Sequence, residues 1–324
     1  MIKYLCSLLL VLSLPVVCQA QAPATLTTCA AWFTATDGTN PFAASGSYLY
    51  VGAKKGLQYR IIGFGLNNSS GSYTYSAAPA PAVLQLSDSV LGPVDTQLYF
   101  TATNQGIYSA ESPIFGGFQD GIFDVYSVAV PTKLTGQSAA VSIIAGSDSY
   151  ATNGTYLISL TASNYTILGS GSIKNSSGSY SYAVTNPAVG ELTLNDSVIG
   201  GEKAYFVFQN SYSGLFLAKK DSAYQIGNFM LLTTTKPTVK ILNLTAGQTV
   251  KSFTYTVKGN ASDKILVNKV YYSLNGSNWQ LASGTTGWSA NVNLTVGKNA
   301  FSVYALDSSG NLSTVSTVKF TCKP

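Results

Sequence analysis

The chain has 324 residues, of which 46% are hydrophobic and only 10% are charged, and its formal net charge is +5. That apolar content excludes a disordered chain, and the length fits two or three domains. The absence of histidine removes the commonest general base and metal ligand, and a single arginine, Arg60, is too little for the dense basic stripe of a nucleic-acid binder.

Residues 1–20 are predicted to form a secretory signal peptide. Lys3 supplies a charged start, residues 8–17 an apolar run, and Cys18-Gln-Ala20 the small residues of a cleavage site. The apolar run is too short to cross a bilayer and no later run is long enough, so no transmembrane span is predicted. We therefore expect an extracellular or cell-surface protein. Lipid attachment at Cys18 is disfavoured, because Val17 stands where a lipoprotein signal carries a small residue.

Two cysteines follow that segment, Cys29 and Cys322, near opposite ends of the chain. In an oxidising compartment they could form a disulfide. Pairing requires the first and last domains to bring the two Cα atoms within about 7 Å of each other. The favoured interpretation is that each cysteine is a small buried apolar residue, and the disulfide is the alternative.

One block of the sequence occurs twice, with equivalent residues separated by 107 or 108 positions. The sequence therefore predicts two tandem β domains of ordinary size, at residues 23–130 and 131–235. The clearest matches are Asn68–Tyr75 with Asn175–Tyr182, and Leu84–Gly92 with Leu192–Gly200.

The second copy contains short runs that are typical of strands, each bounded by turn residues. Short connections leave no room for crossover helices, so the strands are predicted to be antiparallel neighbours. Such a meander closes as a barrel or folds over as a sandwich, and we favour a small barrel, similar to calycin-like meanders. Leu192 and Leu194 share one strand face, and Glu191 and Thr193 the other. The eight runs are 140–144, 155–160, 165–168, 179–184, 191–194, 204–208, 214–218 and 227–232.

The recurring Gly-Ser-Tyr-x-Tyr segment places two tyrosines on one strand face in each copy. These are Tyr73 and Tyr75 in the first copy, and Tyr180 and Tyr182 in the second. The favoured interpretation is structural, because tyrosine buries a large ring while its hydroxyl reaches an edge. The alternative is an aromatic platform for a sugar ring, which makes these four residues the candidate ligand-binding side chains.

The recurring Asp-Ser-Val-x-Gly segment contributes Asp88 and Asp196. Asp before Ser and Gly at a strand end predicts an Asx turn, in which the carboxylate accepts backbone N–H bonds. A calcium ligand is the alternative, and it needs several more oxygens nearby. Asp95 and Asp120 have no counterparts in the second copy, so a shared carboxylate pair is not supported.

Beyond a Thr-rich linker at 233–237, the pattern changes. Residues 236–324 contain about seven alternating segments, which predicts a two-sheet β-sandwich. Phe253, Tyr255 and Val257 are predicted to point inward, and Asn275-Gly276 to form a hairpin turn. Two later segments continue the alternation: Trp288, Ala290, Val292 and Leu294, then Phe301, Val303 and Ala305.

Several short motifs of this region carry a family resemblance: Val270–Gly276, Trp279, Gly297–Asn299, Tyr304–Asp307 and Gly310-Asn311. Residues 236–324 resemble the bacterial immunoglobulin-like (Ig-like) domains of secreted and surface proteins. The resemblance implies a role in spacing, stalk formation or adhesion. Residues 23–235 resemble, more weakly, β-rich repeats of secreted bacterial proteins. The predicted fold is all-β: two tandem antiparallel meander or barrel-like domains followed by an Ig-like β-sandwich.

No residue of the sequence supports a catalytic assignment, a cofactor or a metal site. The favoured function is a secreted, non-catalytic surface, adhesion or structural protein. The alternative is an extracellular module that binds carbohydrate or a small ligand. A glycan-active hydrolase comes third, because it needs paired carboxylates, and Glu111, Glu191 and Glu202 each stand apart from other acids. An extracellular glycan or another surface protein is the expected partner, and nucleic acid is not.

Overall fold

The computed structural model describes residues 21–53 and 56–324. The predicted signal peptide and Cys18 lie outside these residues. The described chain is built from strands, and no helix in it is long and apolar enough to span a bilayer.

The first eight strands form a closed antiparallel barrel, barrel 1, in which each strand pairs with the next and the eighth returns to the first. Phe33 on the first strand pairs with Tyr48 on the second and with Phe123 on the eighth, so one residue joins both sides of the closure. The strands are β1 (Ala30–Gly38), β2 (Gly46–Gly52), β3 (Gln58–Phe64), β4 (Ser69–Ser76), β5 (Ala82–Asp88), β6 (Gly92–Ala102), β7 (Gln105–Glu111) and β8 (Phe118–Tyr126).

The next eight strands form a second closed barrel, barrel 2, in which the ninth strand lies between the sixteenth and the tenth. Each of the eight predicted runs of this copy lies within one of these strands. Of the two predicted arrangements, barrel or sandwich, the structure confirms the barrel. The strands are β9 (Ser138–Gly146), β10 (Gly154–Leu160), β11 (Asn164–Ser170), β12 (Ser176–Asn186), β13 (Val189–Asp196), β14 (Gly200–Phe208), β15 (Ser213–Lys220) and β16 (Ala223–Leu232).

Side chains alternate between the barrel interior and its outer face, as the period of a strand requires. On β13, Leu192 and Leu194 are buried, and Thr193 on the other face is exposed. Glu191 shares the face of Thr193 yet is only 6% exposed. It is buried because this part of the outer face of barrel 2 packs against barrel 1.

The two barrels form one compact unit. Their contact contains apolar side chains from the outer faces of both barrels, among them Leu49, Val51 and Phe64 of barrel 1 and Val189 and Leu217 of barrel 2. All five are almost fully buried. A barrel exposes polar residues on its outer face when that face meets water, so these residues mark where the duplicated domains are fused.

Polar groups cross the same contact. Arg60 donates to Glu191, with Nη2 2.6 Å from Oε2. The Asn186 amide donates to the carbonyl oxygens of Thr27, Cys29 and Gly52, at 3.2, 3.2 and 2.7 Å. Hydrogen bonds as well as apolar burial therefore hold the two barrels together.

The C-terminal unit contains a four-stranded sheet, ordered β17-β19-β23-β22, and a five-stranded sheet, ordered β18-β25-β24-β20-β21. Their shared core includes Val257, Trp288, Phe301 and Val303. The strands are β17 (Thr238–Ile241), β18 (Thr249–Val250), β19 (Thr254–Ser262), β20 (Val267–Leu274), β21 (Gln280–Leu281), β22 (Ser283–Gly284), β23 (Gly287–Asn293), β24 (Gly297–Asp307) and β25 (Ser316–Cys322).

Most of the predicted details of this unit are confirmed. The seven residues of the two later alternating segments are at most 5% exposed. Asn275 and Gly276 both have positive φ, 53° and 75°, as the predicted hairpin turn requires. The prediction for Phe253 was wrong: its side chain is 57% exposed. β19 begins one residue later, at Thr254, so the alternation of the strand does not govern Phe253.

Cys29 and Cys322 are free, buried thiols. Cys29 belongs to the core of barrel 1 and Cys322 to the core of the C-terminal sandwich. The thiol of Cys29 faces the carbonyl of Thr25 at 3.7 Å, and that of Cys322 faces the carbonyl of Ser252 at 3.4 Å. The structure therefore does not form the alternative disulfide, because each sulfur packs inside its own core.

Candidate functional site

Each barrel contains a cavity of about 170 Å³, here called cavity 1 and cavity 2 after their barrels. The two cavities occupy equivalent positions of the repeat. Tyr48, Asp88 and Ala110 line cavity 1, and their equivalents 108 residues later, Tyr156, Asp196 and Ala218, line cavity 2. Gln119 and Gln225 add a matched carboxamide: each donates to the carbonyl of a loop alanine, Ala43 at 2.9 Å and Ala151 at 3.1 Å.

An Asx turn forms one wall of each cavity, as the repeated Asp-Ser-Val-x-Gly segment predicts. The Asp88 Oδ1 accepts the N–H groups of Val90 and Leu91, at 2.8 and 3.0 Å. The Asp196 Oδ1 accepts those of Val198 and Ile199, at 2.8 and 3.1 Å. The turn aims the carboxylate into the barrel while satisfying one of its oxygens.

The second oxygen of each carboxylate binds a buried tyrosine. Tyr59 donates to Asp88 Oδ2 at 2.5 Å, and Tyr165 donates to Asp196 Oδ2 at 2.6 Å. Burial raises the pKa of Asp196, but the hydrogen bonds from Tyr165, Ser176 and the two turn amides outweigh it and hold the pKa below its ordinary value. Both oxygens of Asp196 are therefore occupied by groups of the barrel itself.

Glu202 is the carboxyl group that distinguishes cavity 2. It lines the cavity, is 9% exposed, and accepts a hydrogen bond on Oε2 from the Tyr150 hydroxyl. Burial raises its pKa to about 7; the nearby charge of Asp196 adds to the rise, while Tyr150 and Lys220 oppose it. Among the described residues no donor bonds its Oε1, which leaves this oxygen for a group inside the cavity.

Cavity 1 has apolar residues at the equivalent positions. Val94 replaces Glu202 and Phe42 replaces Tyr150, so the hydroxyl and the carboxyl that bond each other in cavity 2 are both missing. Among the described residues, Asp88 is the one charged side chain that lines cavity 1, whereas Lys174, Asp196 and Glu202 all line cavity 2. The two copies share a scaffold and differ in the chemistry of the space it encloses.

The rims of the two cavities also differ, with an aromatic ring beside cavity 1 and an ammonium group beside cavity 2. In barrel 1 the loop between β7 and β8 carries Phe115, whose side chain is 65% exposed. Its ring lies beside Gly92, where a Cβ would be 3.4 Å away. In barrel 2 the corresponding turn is shorter, and the Lys220 ammonium lies at the equivalent glycine, Gly200, and donates to the carbonyl of Ile199.

None of the four candidate tyrosines lines either cavity. Tyr73 is 3% exposed, inside barrel 1. Tyr75 donates to the carbonyl of Pro23 at 2.8 Å, and Tyr182 to that of Pro131 at 2.7 Å. Tyr180 donates to the carbonyl of Thr161 at 2.8 Å. Ser69, which lines cavity 1, begins β4, and Tyr75 lies near the other end of that strand, so the Tyr75 hydroxyl anchors a chain segment away from the cavity.

Sequence reasoning missed Tyr150, Glu202 and the two glutamines. Gln119 and Gln225 recur close to the repeat spacing and were detectable in the alignment of the two copies. Glu202 could be found from the sequence only as a position at which the two copies differ, because its counterpart in the first copy is Val94. Within the described residues no group of three or more acidic or cysteine side chains is placed to hold a metal ion.

Comparisons with known proteins agree with the C-terminal resemblance. Residues 237–305 match the family described as bacterial Ig domain, and no curated protein matches the chain. Solved structures similar to the chain include fibronectin(III)-like modules of CbhA from Clostridium thermocellum, at 15% identity and a TM-score of 0.26, covering 68% of this chain and 86% of that one.

Two larger proteins are also similar in part. A polysaccharide lyase matches at 11% identity with a TM-score of 0.20, covering 91% of this chain and 40% of that one. A beta-1,2-glucanase from Parabacteroides distasonis matches at 15% identity with a TM-score of 0.17, covering 94% and 38%. This chain spans about two fifths of the length of each of these proteins.

Proposed function

We propose that this chain is a secreted, non-catalytic protein of the bacterial cell surface that binds small extracellular ligands, carbohydrate units above all, in the cavities of its two barrels. The observation that carries the proposal is a cavity of about 170 Å³ at the equivalent position of each barrel. Ligand sites commonly lie in the mouths of β-barrels and combine apolar walls with a few polar groups.

The size of the cavities supports a small ligand. An apolar cavity of about 150 Å³ holds one benzene molecule, so each of these cavities has room for a single six-membered ring. Aromatic and aliphatic side chains supply most of the wall, and Gln119 or Gln225 supplies a carboxamide. One ring of a longer chain, or one small molecule, fits this space.

The carboxyl groups support binding rather than hydrolysis. A glycoside hydrolase uses two carboxyl groups, one as acid and one as nucleophile or base. Cavity 2 contains Asp196 and Glu202, but the two oxygens of Asp196 already accept bonds from Tyr165 and from the turn amides. These bonds tie the Asp196 carboxylate to the wall of barrel 2, and among the described residues of the cavity Glu202 is the carboxyl group with an oxygen that no donor bonds. That arrangement suits the holding of a ligand hydroxyl.

The C-terminal unit supports a surface location. Bacterial Ig domains, which residues 237–305 match, are typical of extracellular proteins. We assign this unit to spacing or attachment and the barrel pair to ligand binding. Secretion through residues 1–20 is part of the proposal.

A polysaccharide pull-down combined with a glycan array tests the proposal on residues 21–324. The matched variants are Ala110→Leu and Ala218→Leu, which fill cavity 1 and cavity 2 in turn, and Thr155→Leu on the exposed outer face of barrel 2 is the control. We expect wild type and the control to bind, and the double cavity variant to lose binding while it stays folded. Binding that survives filling of both cavities contradicts the proposal.

A further inference from the structure

We infer that the two cavities have diverged in ligand class: cavity 2 holds a hydroxylated six-membered ring, a pyranose unit, through Glu202 and Tyr150, and cavity 1 holds an unsubstituted apolar ring. This inference rests on the proposed function and names the ligand of each site.

The differences between the two cavities occur as a pair of contacting residues. Tyr150 and Glu202 lie on different segments of barrel 2, 52 residues apart, and bond each other. Their counterparts, Phe42 and Val94, are both apolar and both line cavity 1. A carboxyl beside Phe42 would be buried without its hydroxyl partner, and burial of an unpaired polar group is unfavourable. The two positions therefore change together, as they do when a site changes its chemistry.

Glu202 has one carboxyl oxygen that the barrel does not use. Its side chain lines cavity 2 and is 9% exposed, and Tyr150 bonds Oε2. Among the described residues no donor bonds Oε1, and Oε1 is not one of their sealed polar atoms without a partner. Water or a ligand hydroxyl can therefore reach this oxygen and donate to it.

The rims of the two cavities differ at one place. Beside cavity 1, the ring of Phe115, which is 65% exposed, extends the apolar wall outward, whereas the rim valines Val90 and Val198 are equally exposed in the two barrels. Beside cavity 2, the Lys220 ammonium stands at the position equivalent to Phe115 and offers donors to ligand oxygens. Cavity 1 keeps the polar groups that both copies share, among them Asp88 and Gln119, and lacks the Tyr150–Glu202 pair and the rim ammonium of cavity 2.

Methyl-labelled protein tests the inference by NMR, since each cavity has its own methyl reporters. Leu91 and Val90 report on cavity 1, and Ile199 and Val198 report on cavity 2. The probes are methyl pyranosides of glucose, galactose, mannose and N-acetylglucosamine, and toluene as the apolar ring. We expect at least one pyranoside to shift the cavity 2 reporters alone, and toluene to shift the cavity 1 reporters alone.

Exchanging the paired residues gives the sharper test. The double variant Tyr150→Phe/Glu202→Val is expected to raise the Kd for the pyranoside at least tenfold and to admit toluene into cavity 2. The reciprocal variant Phe42→Tyr/Val94→Glu is expected to gain a pyranoside site in cavity 1. The conservative Glu202→Gln keeps an acceptor in place and is expected to change the Kd less than threefold.

The outcomes separate the two proposals. If a pyranoside shifts both sets of reporters equally, or if Tyr150→Phe/Glu202→Val leaves its Kd unchanged, the divergence is wrong and the proposed binding function stands. If no pyranoside and no toluene shifts any reporter in the wild-type protein, and the glycan array is also blank, both proposals fail. The reciprocal variant keeps the test valid should the first double variant not fold.

Discussion

Arg60 of barrel 1 and Glu191 of barrel 2 form an ion pair across the contact of the two barrels, with Nη2 2.6 Å from Oε2. The Lys203 ammonium bonds the other carboxylate oxygen. Arg60 is the single arginine of the chain, and its planar guanidinium is suited to a fixed carboxylate. The duplicated barrels are thus joined by a charged contact that neither copy contains by itself.

Glu191→Gln is expected to destabilise the barrel pair by about 1 kcal/mol, because Arg60 and Lys203 remain partly exposed and can turn to water. Burial raises the pKa of Glu191, but bonds from Lys203 and Arg60 outweigh it and the pKa is lowered. A lowered pKa contributes stability above the ordinary value of 4.5, which is lost as pH falls through the folded-state pKa. Urea unfolding at a series of pH values should show the full difference from wild type at pH 7 and a difference that shrinks as pH falls below 4.5.

The matched control is Glu111→Gln, the same change on an exposed glutamate of barrel 1. It is expected to leave the unfolding free energy within about 0.5 kcal/mol of wild type. Equal effects of the two substitutions at pH 7 would mean that the ion pair does not stabilise the contact.

Asn186 forms a fully buried hydrogen-bonding contact between the barrels. It is fully buried, its amide group faces three carbonyl oxygens of barrel 1, and its Oδ1 accepts the N–H of Ala188 at 2.8 Å. Asn186→Ala is expected to cost about 1–3 kcal/mol, since buried acceptors lose their donor. Asn186→Asp is expected to cost more, because it turns a carboxylate toward carbonyl oxygens. Thermal unfolding measures the stability of each variant, and Asn195→Ala, at an exposed position, is the control. If Asn186→Asp is more stable than Asn186→Ala, the side chain at position 186 does not face the three carbonyl oxygens.

The Asx turn of barrel 2 gives a further prediction. Asp196→Ala removes the acceptor for two turn amides and for Tyr165, and we expect it to cost about 3 kcal/mol. Because the pKa of Asp196 is lowered, its stabilisation is present above the ordinary value of 3.8 and is lost as pH falls through the folded-state pKa. Chemical denaturation at neutral pH measures the loss, and Asp95→Ala, on an exposed aspartate, is the control. A cost below 1 kcal/mol would show that the turn forms without the carboxylate.

The sequence predicts much of this fold because alternation within a strand and turn residues between strands are local signals. The eight strands of barrel 2 and the turns at Asp88 and Asp196 follow from residues close together in the chain. The number of strands and the short connections favour a barrel but leave a sandwich as the alternative, and the structure shows the closed barrel. These features need no knowledge of what packs outside the barrel.

The candidate site and the barrel contact are not local. Alternation places Glu191 on the outer face but cannot say that Arg60, 131 residues earlier, covers it. Tyr150 and Glu202 meet only when the barrel closes. The tyrosines chosen as candidates repeat in both copies because they hold repeated structure. Repeated residues such as Asp88 and Asp196 also line both cavities, and the chemistry that distinguishes cavity 2 lies at Tyr150 and Glu202, where the copies differ.

Phe253 shows where a local pattern ends, and it supplies a test. Its ring is 57% exposed, while Val257 on β19 is fully buried. Phe253→Ser is expected to change the unfolding free energy by less than about 0.5 kcal/mol. Val257→Ala, which removes buried methyl groups, is expected to cost about 2 kcal/mol. Equal losses in chemical denaturation would place Phe253 in the core, as the alternation alone had predicted.

Glu202 gives the barrel pair a pH dependence opposite to that of Glu191. Its pKa is about 7 in the folded protein against an ordinary 4.5, so between these values the folded state binds more protons than the unfolded state. Stability then falls as pH rises from 4.5 to 7, by up to about 3 kcal/mol at 1.36 kcal/mol per pKa unit.

Glu202→Gln removes this titration while keeping the shape of the side chain. We expect the stability of wild type to decline relative to the variant between pH 5 and pH 8, and carboxyl-carbon NMR to show a resonance with a midpoint near pH 7 that the variant lacks. A midpoint near 4.5 would mean that Glu202 is hydrated and that cavity 2 is open to water around it. A pyranose that bonds Oε1 should move the midpoint, because it favours the protonation state to which it binds.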